Sequence, residues 1–91
     1  MSGVIVRFDA EYQLHSSQVK DERVFRVVQR KFDFLRVVGL GYPSLNAKRL
    51  HNQFHGGAEV WEFYITKKWR CLFTYDQAGN EIVVLRISNH L

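Results

Sequence analysis

The sequence has one cysteine, Cys71, and one proline, Pro43, in 91 residues. A lone cysteine excludes an intrachain disulfide and any cysteine-rich metal site, and it fits a reducing compartment. No run approaches the roughly 20 apolar residues of a membrane span. "GVIVRF" near the start is too short for the apolar core of a signal peptide, and no small-residue cleavage site follows it. A cytoplasmic protein without a membrane partner is therefore expected. There is no glycine-rich phosphate loop, no serine-nucleophile motif and no Cys–His pair with catalytic spacing. His15, His51 and His55 match no familiar ligand spacing, so no metal and no cofactor is expected.

What is present is ordinary for a globular chain: 46% hydrophobic and 24% charged residues. Disordered and collagen-like classes are excluded. The length predicts a single domain over residues 1–91 with one modest core. The formal net charge is +4 and the pI about 9.5. That balance suits a polyanion such as nucleic acid, or an acidic protein partner.

Val4 to Phe8 is a short β-branched run and predicts a first strand. Asp9 can cap a short helix carrying Tyr12 and Leu14. A longer helix is expected from Ser16 or Ser17 to about Val38. Its buried stripe is Phe25, Val28, Phe32 and Leu35, with Arg23, Arg26 and Arg30 on a solvated side. Gly39, Gly41 and Pro43 end it. "YPSLNAKRLHNQFHGGAE" reads as a connection, most flexible at Gly56-Gly57. Three strands should follow: Val60 to Thr66, Trp69 to Tyr75, and Ile82 to Ser88. The class is α+β, an N-terminal strand and two helices packed on a mostly antiparallel sheet.

Strand side chains alternate between faces. The odd positions of the last three strands are all apolar or aromatic: Trp61, Phe63, Ile65, Trp69, Cys71, Phe73, Tyr75, Val83, Leu85 and Ile87. The even positions carry Glu62, Tyr64, Arg70, Arg86 and His90 among Thr, Ser, Leu, Ile and Val. The odd set should pack on the helices and the even set should face outward. Both sets stay coherent only if each turn holds an odd number of residues, which predicts a three-residue loop around Lys67 and Lys68. A lone strand arginine is ordinarily a solvated residue. Several basic groups on one face, with a tyrosine, form a surface that can grip phosphate and stack on a base.

"YPSLNAKRL", "VWEFYITKKWRCLFTYD" and "NEIVVLRISNH" together resemble the RelE/ParE superfamily of toxin–antitoxin toxins, most closely its RelE-like branch. The resemblance is close over the C-terminal half and extends to the N-terminal half only in element order. It implies a ribosome-dependent mRNA endonuclease, silenced by a cognate antitoxin, whose partners are the ribosome and mRNA. The family's strand arginine falls on Arg70 and its terminal histidine on His90. A basic residue of several members falls near Tyr64, and the leading histidine of the Pro-Ser-Leu segment is Tyr42 here, so both positions depart from the pattern. Many members carry an aromatic residue beyond the histidine. This sequence ends at Leu91, so that group is expected to be missing or removed.

The implied reaction is attack of a ribose 2′-OH on the adjacent phosphate. It needs a base, an acid and cations around the phosphorane. Arg70 is the candidate for charge stabilisation, His90 for proton transfer and Glu62 for a weaker base. Lys48, Arg49, Tyr64, Lys67, Lys68 and Arg86 are the candidate RNA-binding residues. Glu59 and Glu62 sit three apart in a strand, so they cannot form a carboxylate dyad. Two other classes remain open: a ParE-like gyrase inhibitor without catalysis, and an inactive module that binds RNA or an antitoxin.

Overall fold

The computed structural model describes residues 3–12, 19–41 and 46–89. In chain order it contains β1 (Ile5–Phe8), α1 (Glu22–Val38), β2 (Lys48–His55), β3 (Ala58–Tyr64), β4 (Trp69–Asp76) and β5 (Glu81–Asn89). The strands form one five-stranded sheet in the order β1-β5-β4-β3-β2. Only the β1–β5 pair is parallel. The class is therefore α+β, with one helix among the described residues on a mostly antiparallel sheet.

Two helices were expected, and the described residues hold one. The short helix expected after Asp9, carrying Tyr12 and Leu14, continues beyond Tyr12 into residues outside the described ones. The long helix begins at Glu22, later than Ser16 or Ser17. Asp21 is its N-cap, with a side-chain oxygen accepting from the Arg23 backbone N–H at 2.9 Å. That hydrogen bond holds the Asp21 carboxyl below its ordinary value. At the other end the Gly39 N–H donates to the Leu35 carbonyl at 2.9 Å with φ at 79°, a conformation that favours glycine. Val24, Val28, Phe32 and Leu35 form the buried stripe. Val24 takes the place expected for Phe25, which is only partly buried against the core.

These residues pack on Phe63, Cys71, Phe73, Ile82, Val84 and Ile87 of the sheet. Phe32 meets Phe63 edge-on at 6.3 Å between ring centroids, the arrangement that aromatic quadrupoles favour. The Val4 N–H donates to the Leu35 carbonyl at 3.0 Å and ties the chain start to the helix end. A Cβ on Gly3 would collide with the Arg36 carbonyl oxygen, so only glycine allows this approach.

The segment read as a connection contains β2, an edge strand paired to β3 through the Gly56-Gly57 turn. Its sequence, KRLHNQFH, has no alternation, because most of its side chains are exposed on a sheet edge. Its register slips by three between Arg49 and Phe54, so Leu50 to Gln53 arch away opposite Val60 alone. Asn52 takes φ 63° in that arch.

The β3–β4 loop is the expected three-residue one. The Ile65 and Thr66 N–H groups both reach the Trp69 carbonyl, and Thr66, Lys67 and Lys68 make the turn. The β4–β5 turn differs. Asp76 pairs with Glu81, so four residues separate them and the parity of β5 is reversed. Ile82 and Val84, not Val83 and Leu85, therefore face the helix. A bulge at Leu85 then restores the first parity: Phe73 pairs with Val84, but Leu72 pairs with Arg86 and Cys71 with Ile87.

Candidate nucleic-acid interface

The face of the sheet away from α1 carries two neighbouring regions, one charged and one apolar. The charged region is built on register. Lys48 of β2 lies opposite Glu62 of β3, and Tyr64 lies opposite Arg70 of β4. Glu62 is only 2% exposed, the deepest charged side chain on the sheet. Its two oxygens are separately engaged: Arg70 Nη1 lies 2.7 Å from Oε1, and Lys48 Nζ lies 3.4 Å from Oε2. Lys48 Nζ also stands 5.7 Å from the Tyr64 ring centroid, in cation–π range. A carboxylate so buried is tolerable only because two cations meet it. Arg70 Nε is buried and has no acceptor among the described residues.

The apolar region is a small second cluster of Val60, Leu72 and Leu85, flanked by Leu50. It forms the floor of a groove of about 380 Å3, lined also by Asp9, Asn52, Gln53, Phe54, His55 and Arg86. Asp9 follows the edge strand β1, while His55 ends the opposite edge strand β2. The ends of these two edge strands meet, with His55 Nε2 3.3 Å from Asp9 Oδ1. The Asp9 carboxylate also accepts the Glu11 N–H, at 3.1 Å through Oδ2.

The structure thus brings Arg70, Glu62, Lys48, Tyr64 and Arg86 to one face. It does not bring Arg49 there. Arg49 alternates with Lys48 and points to the other side, 5.8 Å over the Trp61 ring and 3.4 Å from Glu59 Oε1. Lys67 and Lys68 are exposed in the β3–β4 loop, next to Arg70 in the chain. Lys68 lies toward the start of α1, in a shallow hollow with Asp21, Arg23 and Trp69. His90 lies outside the described residues. Sequence reasoning missed Asp9, Phe54 and His55 as groove residues. No local signal could have paired Asp9 with His55, because the contact spans 46 residues of chain. No group of three or more His, Cys, Asp or Glu among the described residues could hold a metal ion. No helix among them is long and apolar enough to cross a membrane.

Among the described residues, one helix on a five-stranded sheet of this order is a RelE-like fold. The archaeal RelE–RelB complex from Pyrococcus horikoshii OT3 superposes with a TM-score of 0.69 at 10% identity, covering 94% of this chain and 93% of that one. The toxin–antitoxin complex RelBE2 from Mycobacterium tuberculosis gives 0.68 at 21% identity, covering 99% and 94%. A metal-bound toxin from Helicobacter pylori gives 0.58 at 10% identity, covering 96% and 94%. No protein-family model matches the sequence, and no curated protein sequence matches it.

Proposed function

We propose that this protein is the toxin of a toxin–antitoxin pair, acting as a RelE-like, ribosome-dependent mRNA endonuclease that a cognate antitoxin silences. The observation that carries this reading is the placement of Arg70. It stands with Lys48 and Arg86 on the open face of a RelE-like sheet, held by a buried carboxylate. In this reading the Arg70 guanidinium stabilises the charge of the phosphorane formed when a ribose 2′-oxygen attacks the adjacent phosphorus. The 2′-OH gives up its proton to water as the O2′–P bond forms, the P–O5′ bond breaks, and the leaving 5′-oxygen takes up a proton. Proton transfer is assigned to His90 on the family resemblance. Glu62 acts as the anchor of Arg70 and Lys48. A carboxylate with both oxygens in ion pairs is poorly placed to take a substrate proton. Lys67 and Lys48 contact RNA phosphates, and Tyr64 offers a ring beside Lys48, whereas Lys68, turned toward the start of α1, is left out of this set.

One observation favours a second reading. One nitrogen of the Arg70 guanidinium, Nη1, is already engaged by Glu62, which would suit a protein that only binds, such as a ParE-like gyrase inhibitor. Programmed ribosomes separate the two. The wild type should cut ribosome-bound mRNA and Arg70→Ala should not. Inhibition of gyrase with mRNA left intact would replace the first reading by the second.

A further inference from the structure

The groove beyond the Arg70 centre has features that the reaction above does not use. Its floor is apolar, from Val60, Leu72 and Leu85. At its rim Phe54 is 63% exposed, the most exposed of the large hydrophobic side chains described. It adjoins the apolar floor, so the two form a contiguous apolar patch of the kind that marks a binding groove. Beside it lie two cation-capable groups, Arg86 and His55, and the latter is oriented by Asp9. The opening falls within the size range of small-ligand sites, about 300–1,000 Å3. Leu72, on the groove floor, lies directly opposite Arg86 in the ladder and one step along the same face from Arg70.

An aromatic ring, an apolar floor and a guanidinium at one rim match the parts of one nucleotide. We propose that this groove is a nucleotide subsite for single-stranded RNA, in which Phe54 stacks on a base, Arg86 grips a phosphate, and His55, positioned by Asp9, donates to the same phosphate or its ribose. The occupant follows from charge and shape together. The net charge of +4 and the Arg86 guanidinium at the rim favour a polyanion, and the exposed ring favours unpaired bases over a duplex. This inference deepens the endonuclease reading and rests on it for its biological setting: the subsite fixes which nucleotide flanks the bond presented to Arg70.

The test is binding of a fluorescein-labelled hexauridylate to the full chain, followed by anisotropy at two or more salt concentrations. Phe54→Ala should weaken binding about tenfold, the range of one lost base stack. Arg86→Ala should weaken it similarly and lower the salt slope by about 0.7, the signature of one lost single-strand phosphate contact. Arg26→Ala, on the exposed side of α1, should change little. Equal losses from Arg26→Ala and Arg86→Ala, or wild-type binding by Phe54→Ala, would overturn the subsite. So would a groove that takes up an antitoxin peptide while excluding the oligonucleotide. Ribosomal cleavage, measured separately, tests the other reading. Groove-dependent binding without cleavage would leave the subsite standing and remove the endonuclease, whereas Arg70-dependent cleavage with indifferent groove variants would do the reverse.

Discussion

Arg70 Nη1 and Glu62 Oε1 lie 2.7 Å apart, on neighbouring strands and with the carboxylate almost wholly buried. The pair makes the candidate site part of the fold, because neither partner can be removed without leaving the other in a poorly solvated place. Lys48, 58% exposed, contributes far less than Arg70 to this balance.

Glu62→Met should therefore destabilise the protein by about 2–4 kcal/mol, since it strands Arg70 in a partly buried position. The double variant Glu62→Met/Arg70→Met should recover much of that loss, as apolar replacement of an entire buried pair is often near neutral. Urea unfolding of the two single variants and the double variant gives the coupling directly. Additive effects would show that the ion pair is incidental.

Arg70→Ala should lower cleavage of ribosome-bound mRNA by about 100- to 1,000-fold, the usual cost of removing one group that stabilises transition-state charge. Arg70→Lys should restore little, because an ammonium cannot reproduce the planar fork. Single-turnover cleavage on programmed ribosomes measures both. Wild-type rates in Arg70→Ala would remove Arg70 from the chemistry.

His90→Ala should slow the same reaction by about 100- to 10,000-fold if the histidine transfers a proton. Naked RNA should stay intact with every variant, because it lacks the ribosome's contribution to orienting the 2′-OH. Cleavage of free RNA by the wild type would refute that part of the mechanism.

Burial pushes the Cys71 thiol well above its ordinary value of 9.0. The folded state thus keeps the proton that the unfolded state releases, and stability should fall as pH rises past about 9. Cys71→Ala should flatten that fall. A disulfide exchange reagent should not label Cys71 in the native protein at pH 8, and should label it fully in urea. Fast native labelling would contradict its complete burial.

Deleting Leu85 would remove the extra residue of the β5 bulge and leave Val84 opposite Phe73 and Arg86 opposite Leu72 in an unbroken ladder. Arg86 should therefore stay on the open face and Ile87 in the core, and cooperative unfolding should survive. Leu85→Ala keeps the bulge and should cost about 2 kcal/mol, read from the shift of the thermal midpoint. Loss of cooperative unfolding on deletion would mean that the sheet needs the bulge itself.

The sequence by itself determined the elements whose signals are local. The helical period placed Val28, Phe32 and Leu35 on the buried stripe of α1, and Gly39 marked its end. The odd run from Trp61 to Tyr75 set the core face of β3 and β4, and it also dictated the three-residue loop between them. Charge on the even positions predicted that Arg70, Glu62 and Arg86 would share one face. Only the tertiary structure decided the rest. The four-residue turn before Glu81 and the bulge at Leu85 cancel each other's parity, and neither is visible in an unbroken apolar run such as Ile82 to Leu85. Strand β2 is an exposed edge, so no alternation announced it. The engagement of Glu62 by two cations is set by strand register, and Asp9 meets His55 across 46 residues of chain. Contacts of that kind depend on how distant edges close in space, and residue periodicity carries no record of them.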